Sequence, residues 1–319
     1  MKVVLLDTFG KAEDVASVLD GTGAEVVRAA DVPSGPGVVA LLLGPETPLT
    51  ADQVRALPDL RIVAATSAGH DHVPVDAVAR QGAWVTTSAG YCTDEVADHT
   101  IALVTGLVRG VVALDRSVRA GRWDVTEAAP RRIAGTVLGL AGLGRIGAAV
   151  ATRATALGME VRAYDPAAGA AAFARCGAVR ARSLSELLGA ADVVSLHAPA
   201  TPATERMIDA AALAALRPGA FVVNVARGSL VDHGALAAAL RSGRLAGAAL
   251  DVLPAEPPRR DDPLLDCPNL IITPHAAWYS ADALVRPFRQ AAGQVAAVLA
   301  GRVPDAAVAG PRENVEEAP

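Results

Sequence analysis

Aromatic side chains are scarce in this sequence, where Phe, Trp and Tyr together make up 3% of the 319 residues. Hydrophobic residues nevertheless make up 52%, so large cores must be built mainly from Ala, Val and Leu. Cysteine is also scarce, and Cys92, Cys176 and Cys267 form no CxxC pair. This spacing argues against a disulfide framework and a zinc site, and it is typical of a reducing compartment. We predict no metal site.

The sequence also has no basic block and no long apolar run. Its formal net charge of -5 is mild, which argues against nucleic acid as the main partner. No apolar stretch is long enough to span a bilayer, and the apolar start at Val3–Leu6 is too short for a signal peptide. We therefore expect a soluble, cytoplasmic protein with no membrane partner.

Short apolar strands alternate with helical patterns along most of the chain. The first predicted strands are Val3–Leu6, Val38–Leu43, Leu60–Ala65 and Ala83–Val85. This alternation predicts parallel sheets covered by helices on both faces, and the length favours two domains. A helical pattern from Ala281 to Leu299 is placed to return to the first domain, which would make the second domain an insertion.

The stretch Glu95–Ala120 is different, since it is long, helical in pattern and apolar in its middle. It predicts one helix of about 38 Å, longer than a small domain requires. A plain core helix is one interpretation. We favour the other, in which the helix crosses between domains and also contacts a second subunit.

A glycine-rich turn follows the apolar run that ends at Ala141. It has the form Gly-x-Gly-x-x-Gly and leads into a helical pattern, so its helix amides and dipole favour an anion. Gly142 permits the tight turn, and Gly144 permits a pyrophosphate to approach the backbone. Gly147 permits close packing of the helix on the strand. Such turns are common in glycine-rich chains. Here, however, a second predicted strand, Glu160–Tyr164, leads directly into Asp165. This acid has the spacing of a carboxylate that binds an adenosine ribose.

Polar residues recur where later predicted strands end, and ligands gather at the carboxyl ends of parallel strands. These residues are Asp165, His197, Arg227, Asp251 and His275. Arg227 suits the binding of a carboxylate and carbonyl, and His275 suits proton transfer. Glu256, in a proline-rich loop, could orient that histidine. Taken singly, each of the three could instead be a surface or structural residue; together, after a dinucleotide fingerprint, they favour catalysis on a 2-hydroxy or 2-oxo acid.

Four motifs in order resemble the NAD-dependent D-2-hydroxyacid dehydrogenases. They are Gly-Leu-Gly-Arg-Ile-Gly with Tyr-Asp-Pro after it, Asn-Val-Ala-Arg-Gly at 224–228, Asp-Val-Leu-Pro-Ala-Glu-Pro at 251–257, and Thr-Pro-His-Ala-Ala-Trp at 273–278. The resemblance implies that Arg227 binds substrate, Glu256 pairs with the histidine, and His275 donates the proton. It also implies a cofactor lining of Ala68, Gly142, Leu143, Gly144, Arg145, Ile146, Gly147, Asp165, Ala198, Thr204, Val225, Ala226, Arg227, Asp251 and His275.

For the substrate, the resemblance implies contacts from the backbone of Ser67, Ala68, Gly69 and His70 and from the side chain of Arg227. The stretch 275–280 is similar to the C-terminal-binding proteins, corepressors that keep a dehydrogenase site, and implies that Trp278 narrows the pocket. Trp278 could instead pack at the hinge. Where that subgroup has an arginine, this chain has Ala65.

We therefore predict an α/β protein with two Rossmann-like doubly wound parallel-sheet domains. Residues 1–97 and 282–319 form the substrate domain, with 309–319 as a flexible tail, and residues 98–281 form the NAD-binding domain. The predicted function is that of an NAD-dependent 2-hydroxyacid dehydrogenase, with D-specificity implied by the resemblance. NAD is favoured over NADP because Asp165 would repel a 2′-phosphate. The alternative is an NAD(H)-responsive binding protein or corepressor with little turnover. We also predict a homodimer through Glu95–Ala120.

Overall fold

The computed structural model describes residues 1–7 and 9–311. It divides into two compact units, one made of Met1–Tyr91 with the segment from Tyr279 onward, and the other of Cys92–Trp278. The second unit is thus inserted in the first, and the predicted α/β fold class is confirmed. The units change at 91/92 and 278/279, a few residues before the boundaries we expect from the sequence.

Within the described residues, the first unit is built on a sheet with the strand order β13-β5-β4-β3-β1-β2. Its strands are β1 (Lys2–Leu5), β2 (Glu25–Arg28), β3 (Val38–Leu43), β4 (Ile62–Ala65), β5 (Trp84–Thr87) and β13 (Ala307–Ala309). Its helices are α1 (Ala12–Val18), α2 (Ala51–Arg55), α3 (Val75–Arg80) and α11 (Arg286–Leu299). All strand pairs are parallel except the edge pair β13–β5.

Both faces of this sheet are buried, which explains why its central strands are continuous apolar runs. Alternate residues face opposite sides: Leu42 packs in a core with Phe288 of α11, whereas Leu41 packs in a core with Val54 of α2. Helix α11 begins at Arg286 instead of the predicted 281, with Pro287 in its first turn, where proline is favoured. The predicted tail begins inside β13, because Ala309 pairs with Val85. Residues 312–319 lie outside the described residues.

Across residues 92–278 the second unit is a fully parallel sheet in the order β12-β11-β10-β9-β6-β7-β8. Its strands are β6 (Val137–Ala141), β7 (Glu160–Tyr164), β8 (Val179–Arg180), β9 (Val193–Leu196), β10 (Ala220–Asn224), β11 (Leu245–Leu250) and β12 (Leu270–Ile272). Its helices are α4 (Thr93–Arg109), α5 (Val111–Arg119), α6 (Arg145–Ala156), α7 (Ala170–Cys176), α8 (Leu184–Ala190), α9 (Ala210–Ala215) and α10 (His233–Arg241). The strand order reverses between β6 and β9, and ligands bind at such a switch point in open α/β sheets.

The single helix predicted over Glu95–Ala120 is wrong. Helix α4 ends at Arg109, and Gly110 has φ 63°, a left-handed conformation that glycine adopts without steric cost and that ends helices. Helix α5 then starts at Val111. The apolar spacing continues across this break, which is why the sequence pattern conceals it.

The three cysteines are free and buried. Within residues 1–7 and 9–311, no helix combines the length and the apolar character needed to cross a membrane.

Candidate active site

The glycine turn lies between β6 and α6 and depends on two close backbone approaches. Gly142 has φ 104°, and a Cβ there would lie 2.6 Å from the carbonyl oxygen of His197. A Cβ on Gly147 would lie 2.4 Å from the carbonyl oxygen of Gly142. Side chains at these positions would therefore push β6, α6 and the end of β9 apart.

Gly144 is the N-cap of α6, and in the described part of the chain no heavy atom beyond Gly144 and its two chain neighbours lies within 4 Å of the position that a Cβ would occupy there. The backbone at this point is open, so the unpaired amides at the start of α6 can be approached by a phosphate. These features fit the pyrophosphate of a dinucleotide.

Asp165 follows β7 and connects the glycine turn to the next loop. Its Oδ2 accepts a hydrogen bond from the Leu143 amide at 2.8 Å. Its Oδ1 accepts from the amides of Ala167 at 2.8 Å and Ala168 at 3.2 Å. The carboxylate is therefore fixed beside the turn, where a dinucleotide ribose would lie.

His197 follows β9 at the switch point. Its Nε2 lies 3.0 Å from the hydroxyl of Ser195, and burial lowers the pKa of His197 to about 4. The imidazole is therefore neutral near pH 7. In the next loop, Thr204 Oγ1 donates to the carbonyl of Pro199 at 2.6 Å, so this predicted cofactor contact also closes its own loop next to Ala198.

Arg227 lies just beyond β10 in a loop held by Asn224, which is fully buried. The Asn224 side chain donates to the carbonyl of Arg227 at 2.8 Å and accepts from the amide of Ala226 at 3.0 Å. Nη1 of Arg227 donates to the carbonyl of Ala226 at 2.7 Å. A Cβ on Gly228 would lie 2.1 Å from the carbonyl carbon of Leu253, so this loop packs directly on the one that follows β11.

That second loop brings Glu256 to His275. Oε2 of Glu256 lies 2.7 Å from Nδ1 of His275, and Oε1 accepts from the amide of Leu253 at 2.8 Å. His275 follows β12 and has φ 52°, which is uncommon for a residue other than glycine. Since Nδ1 faces the carboxylate, Nε2 is the ring nitrogen available to another group. With Nδ1 held by Glu256, the imidazole of His275 can carry a proton at Nε2 and present it in a fixed direction.

Asp251 supports the turn that carries His275. It is 1% exposed, and its carboxylate accepts from the hydroxyl of Thr273 at 2.6 Å and from the amides of Ala276 and Ala277 at 2.8 and 2.9 Å. The resemblance implies that Asp251 lines the cofactor, and the geometry gives it a structural role as well.

The remaining candidates lie in separate parts of the fold. Ser67 to His70 follow β4 in the first unit, where the hydroxyl of Ser67 donates to the carbonyl of Gly69 at 2.7 Å and Ala68 is exposed. Trp278 ends the second unit and is half-buried.

Sequence reasoning did not assign Asn224, Thr273 or His99 to the site. Asn224 ends a buried strand, and Thr273 precedes His275 by two positions. Both lie inside the motifs, and this position could have indicated them. His99 is distant from the motifs in sequence, and no sequence signal indicated it.

The fold and this geometry place the chain among the Rossmann-type dinucleotide-binding proteins. It belongs to the D-isomer specific 2-hydroxyacid dehydrogenase family, because the model for the NAD-binding domain of that family matches residues 101–277. The match confirms the expected oxidoreductase family and its cofactor NAD.

Two relatives illustrate the similarity. D-3-phosphoglycerate dehydrogenase of Mycobacterium leprae (strain TN) is 40% identical over 286 residues, which cover 89% of this chain and 54% of that protein. This chain thus spans about half the length of that relative. Glycerate dehydrogenase of Methylorubrum extorquens is 38% identical over 265 residues, covering 81% of this chain and 82% of that protein.

A solved structure agrees in fold. The crystal structure of a protein from Thermus thermophilus is 36% identical in sequence, with a TM-score of 0.86 over 97% of this chain and 100% of that one.

Proposed function

We propose that this protein is an NAD-dependent dehydrogenase that transfers a hydride between NAD(H) and a small D-2-hydroxy or 2-oxo acid. The observation that carries the proposal is the 2.7 Å contact between Glu256 and Nδ1 of His275, in a unit with a dinucleotide turn. Family membership supports the reaction class, and the glycerate dehydrogenase relative supports a small acid.

The residues that would hold the cofactor are those of the glycine turn, with Asp165 at the ribose. When bound, NADH supplies the hydride to the 2-oxo carbon. The fixed carboxylate of Asp165 favours NAD over NADP, since it would repel a 2′-phosphate. Neutral His197 completes the proposed lining at the switch point.

The chain's own residues then perform three tasks in the reducing direction. Arg227 binds the carboxylate of the oxo acid and polarises its carbonyl. His275 donates the proton at Nε2 to the 2-oxo oxygen, and takes it back in the reverse direction. Glu256 holds Nδ1 of the imidazole, so the ring keeps one orientation while its charge changes. Backbone groups of Ser67 to His70, and Trp278 at the substrate tail, are proposed as further substrate contacts.

The alternative is a binding protein similar to the C-terminal-binding corepressors, which would use NAD(H) to set its assembly. The relatives named above are dehydrogenases and give this alternative no support. It predicts cofactor-dependent partner binding with negligible turnover.

A panel of 2-oxo acids with polar, apolar and thioether side chains, assayed with NADH, tests the proposal. We expect turnover of at least one acid and a loss of about 10²- to 10⁴-fold in kcat for His275→Asn, the size of a general acid-base contribution. Asn accepts positive φ more readily than most residues, so this variant preserves the turn. His233→Asn, on α10, is the matched control. No turnover by the wild type, or full turnover by His275→Asn, would contradict the proposal.

We also propose a homodimer in which the region Glu95–Ala120 and the segment after it meet a second copy. The support is a set of exposed apolar side chains on and just beyond α5. Trp123 is 92% exposed and Val125 83% exposed, and Val111 and Val118 are also exposed. Exposed apolar side chains grouped in this way are typical of an interface.

A further inference from the structure

The turn that carries His275 is fastened to one buried carboxylate. Asp251 accepts hydrogen bonds from Thr273, Ala276 and Ala277, on both sides of the histidine. Its carbonyl also accepts from the amide of His275 at 2.8 Å. A left-handed backbone at a residue other than glycine persists only where the surroundings impose it, and these four bonds impose it at His275.

A second histidine extends this arrangement. His99 lies on α4, half-buried, with Nε2 3.1 Å from the hydroxyl oxygen of Thr273 and 3.7 Å from Oδ1 of Asp251. The imidazole of His99 is thus a basic group within 4 Å of this carboxylate. The Thr273 hydroxyl donates to Asp251, so its free lone pair faces His99, and Nε2 of His99 must carry the proton.

We infer that His99 and Thr273 are positioning residues for His275. The chain of donors runs from His99 to Thr273 to the carboxylate of Asp251, and the carboxylate in turn fixes the turn on which the imidazole stands. The inference rests on the proposed acid-base role of His275. The side chain of His99 acts through the hydroxyl and does not touch the proposed reacting atoms.

The test compares variants that keep or remove each donor. His99→Gln retains an amide donor near the position of Nε2, whereas His99→Leu removes it. Thr273→Ser retains the hydroxyl, whereas Thr273→Val removes it at nearly constant volume. Thr105→Val is the control, because Thr105 lies on the same helix and its hydroxyl bonds to the carbonyls of Ile101 and Ala102 in that helix.

Two readouts are measured, kcat and KM on an accepted 2-oxo acid, and the downfield proton NMR signal of the Nδ1–H of His275 in the protein without added cofactor. We expect His99→Leu and Thr273→Val to lower kcat by about 10-fold with little change in the KM for NADH, as expected for a misplaced catalytic group. The signal should broaden in both and persist in His99→Gln, Thr273→Ser and Thr105→Val. The variant that combines His99→Leu with Thr273→Val should have the same kcat as Thr273→Val alone, because the two residues act in series.

The inference is overturned if His99→Leu and Thr273→Val keep the kcat and the NMR signal of the wild type, or if His99→Gln loses as much as His99→Leu. Should His99→Leu fail to fold, the Thr273→Val and Thr273→Ser pair decides the same question. A wild-type protein that reduces no oxo acid would overturn the proposed function instead, and the NMR signal would still test the positioning.

Discussion

Glu256 accepts at both carboxylate oxygens, from Nδ1 of His275 at 2.7 Å and from the amide of Leu253 at 2.8 Å. The backbone bond fixes the side chain within its own loop, and the second oxygen then fixes the imidazole. The orientation of the histidine is thus set by groups of the chain itself.

Glu256→Gln should retain the shape of this contact and lose its charge. Since a neutral amide stabilises a protonated imidazole less well, we expect kcat for oxo acid reduction to fall by about 10²-fold, with a smaller effect on KM. Steady-state kinetics checks this. Asp261→Asn, which alters an exposed acid paired with Arg259 in the same part of the chain, should leave kcat unchanged. Equal effects of the two substitutions would refute the orienting role.

Gly228→Ala should disturb the packing between the loops that carry Arg227 and Glu256. The new Cβ would lie 2.1 Å from the carbonyl carbon of Leu253, and a backbone contact of this kind cannot be relieved by a side-chain rotation. We expect a loss of about 1–3 kcal/mol in the free energy of unfolding and reduced kcat. Denaturant unfolding measures the first quantity. Gly189→Ala, on α8 with open space around its Cβ within the described residues, should not lower stability.

Asp165→Ser should weaken the discrimination between the two nicotinamide cofactors. Loss of the carboxylate removes a charged hydrogen-bond acceptor for the ribose, so we expect the KM for NADH to rise by about 10-fold or more. The ratio of activity with NADPH to activity with NADH should rise as well. Parallel titrations with both cofactors check this, with Asp261→Asn, which alters an exposed acid, as the control. A wild-type protein that prefers NADPH would contradict the assignment outright.

His197 should make stability depend on pH. Burial holds its pKa at about 4 in the folded protein, below the usual 6.5, so between these values the unfolded chain binds more protons. The contribution of His197 to the free energy of unfolding is fully present above about pH 6.5. It is lost as the pH falls toward 4, and this loss amounts to about 3 kcal/mol. Urea unfolding from pH 7.5 to 4.5 should show a flatter dependence for His197→Asn than for the wild type. Parallel curves for the two proteins would be evidence against it.

Trp123→Ser should weaken the proposed dimer. Removal of this almost fully exposed ring from the monomer surface costs the folded monomer little, whereas it would remove a large apolar contact from an interface. Sedimentation velocity should show a shift from dimer to monomer. Val179→Ser, which changes another exposed apolar side chain of the second unit, should sediment as the wild type does. A wild-type monomer at high concentration would exclude the dimer.

Secondary-structure elements were predicted most accurately where glycine spacing and apolar runs occur together. The strand Glu160–Tyr164 has the same bounds in the sequence and in the structure, because its alternation is clear and Asp165 ends it. The break at Gly110 was not predicted, since one glycine within an apolar helical pattern is usually tolerated. The short edge strands β2 and β8 also lacked a signal, because none of their residues is buried.

Side-chain partnerships were harder to predict than the candidate site. Glu256 and His275 could be paired because each is a chemically distinctive residue in a recognisable motif. The contact of His99 with Thr273 depends on which helix and loop meet in space, whereas the contact of Asn224 with Arg227 depends on the backbone conformation of the loop after β10. Periodicity in one element cannot show which side chains of another element it will touch.

The bond between Asp165 and the amide of Leu143 ties cofactor choice to the integrity of the phosphate loop. A lineage that adopted NADPH by replacing this acid would also release the loop from its anchor. The first substitution would then lower stability before it improved the new activity. A second substitution that re-anchors Leu143 would have to precede the replacement of Asp165 or occur together with it. This requirement limits the order in which substitutions can change the cofactor preference.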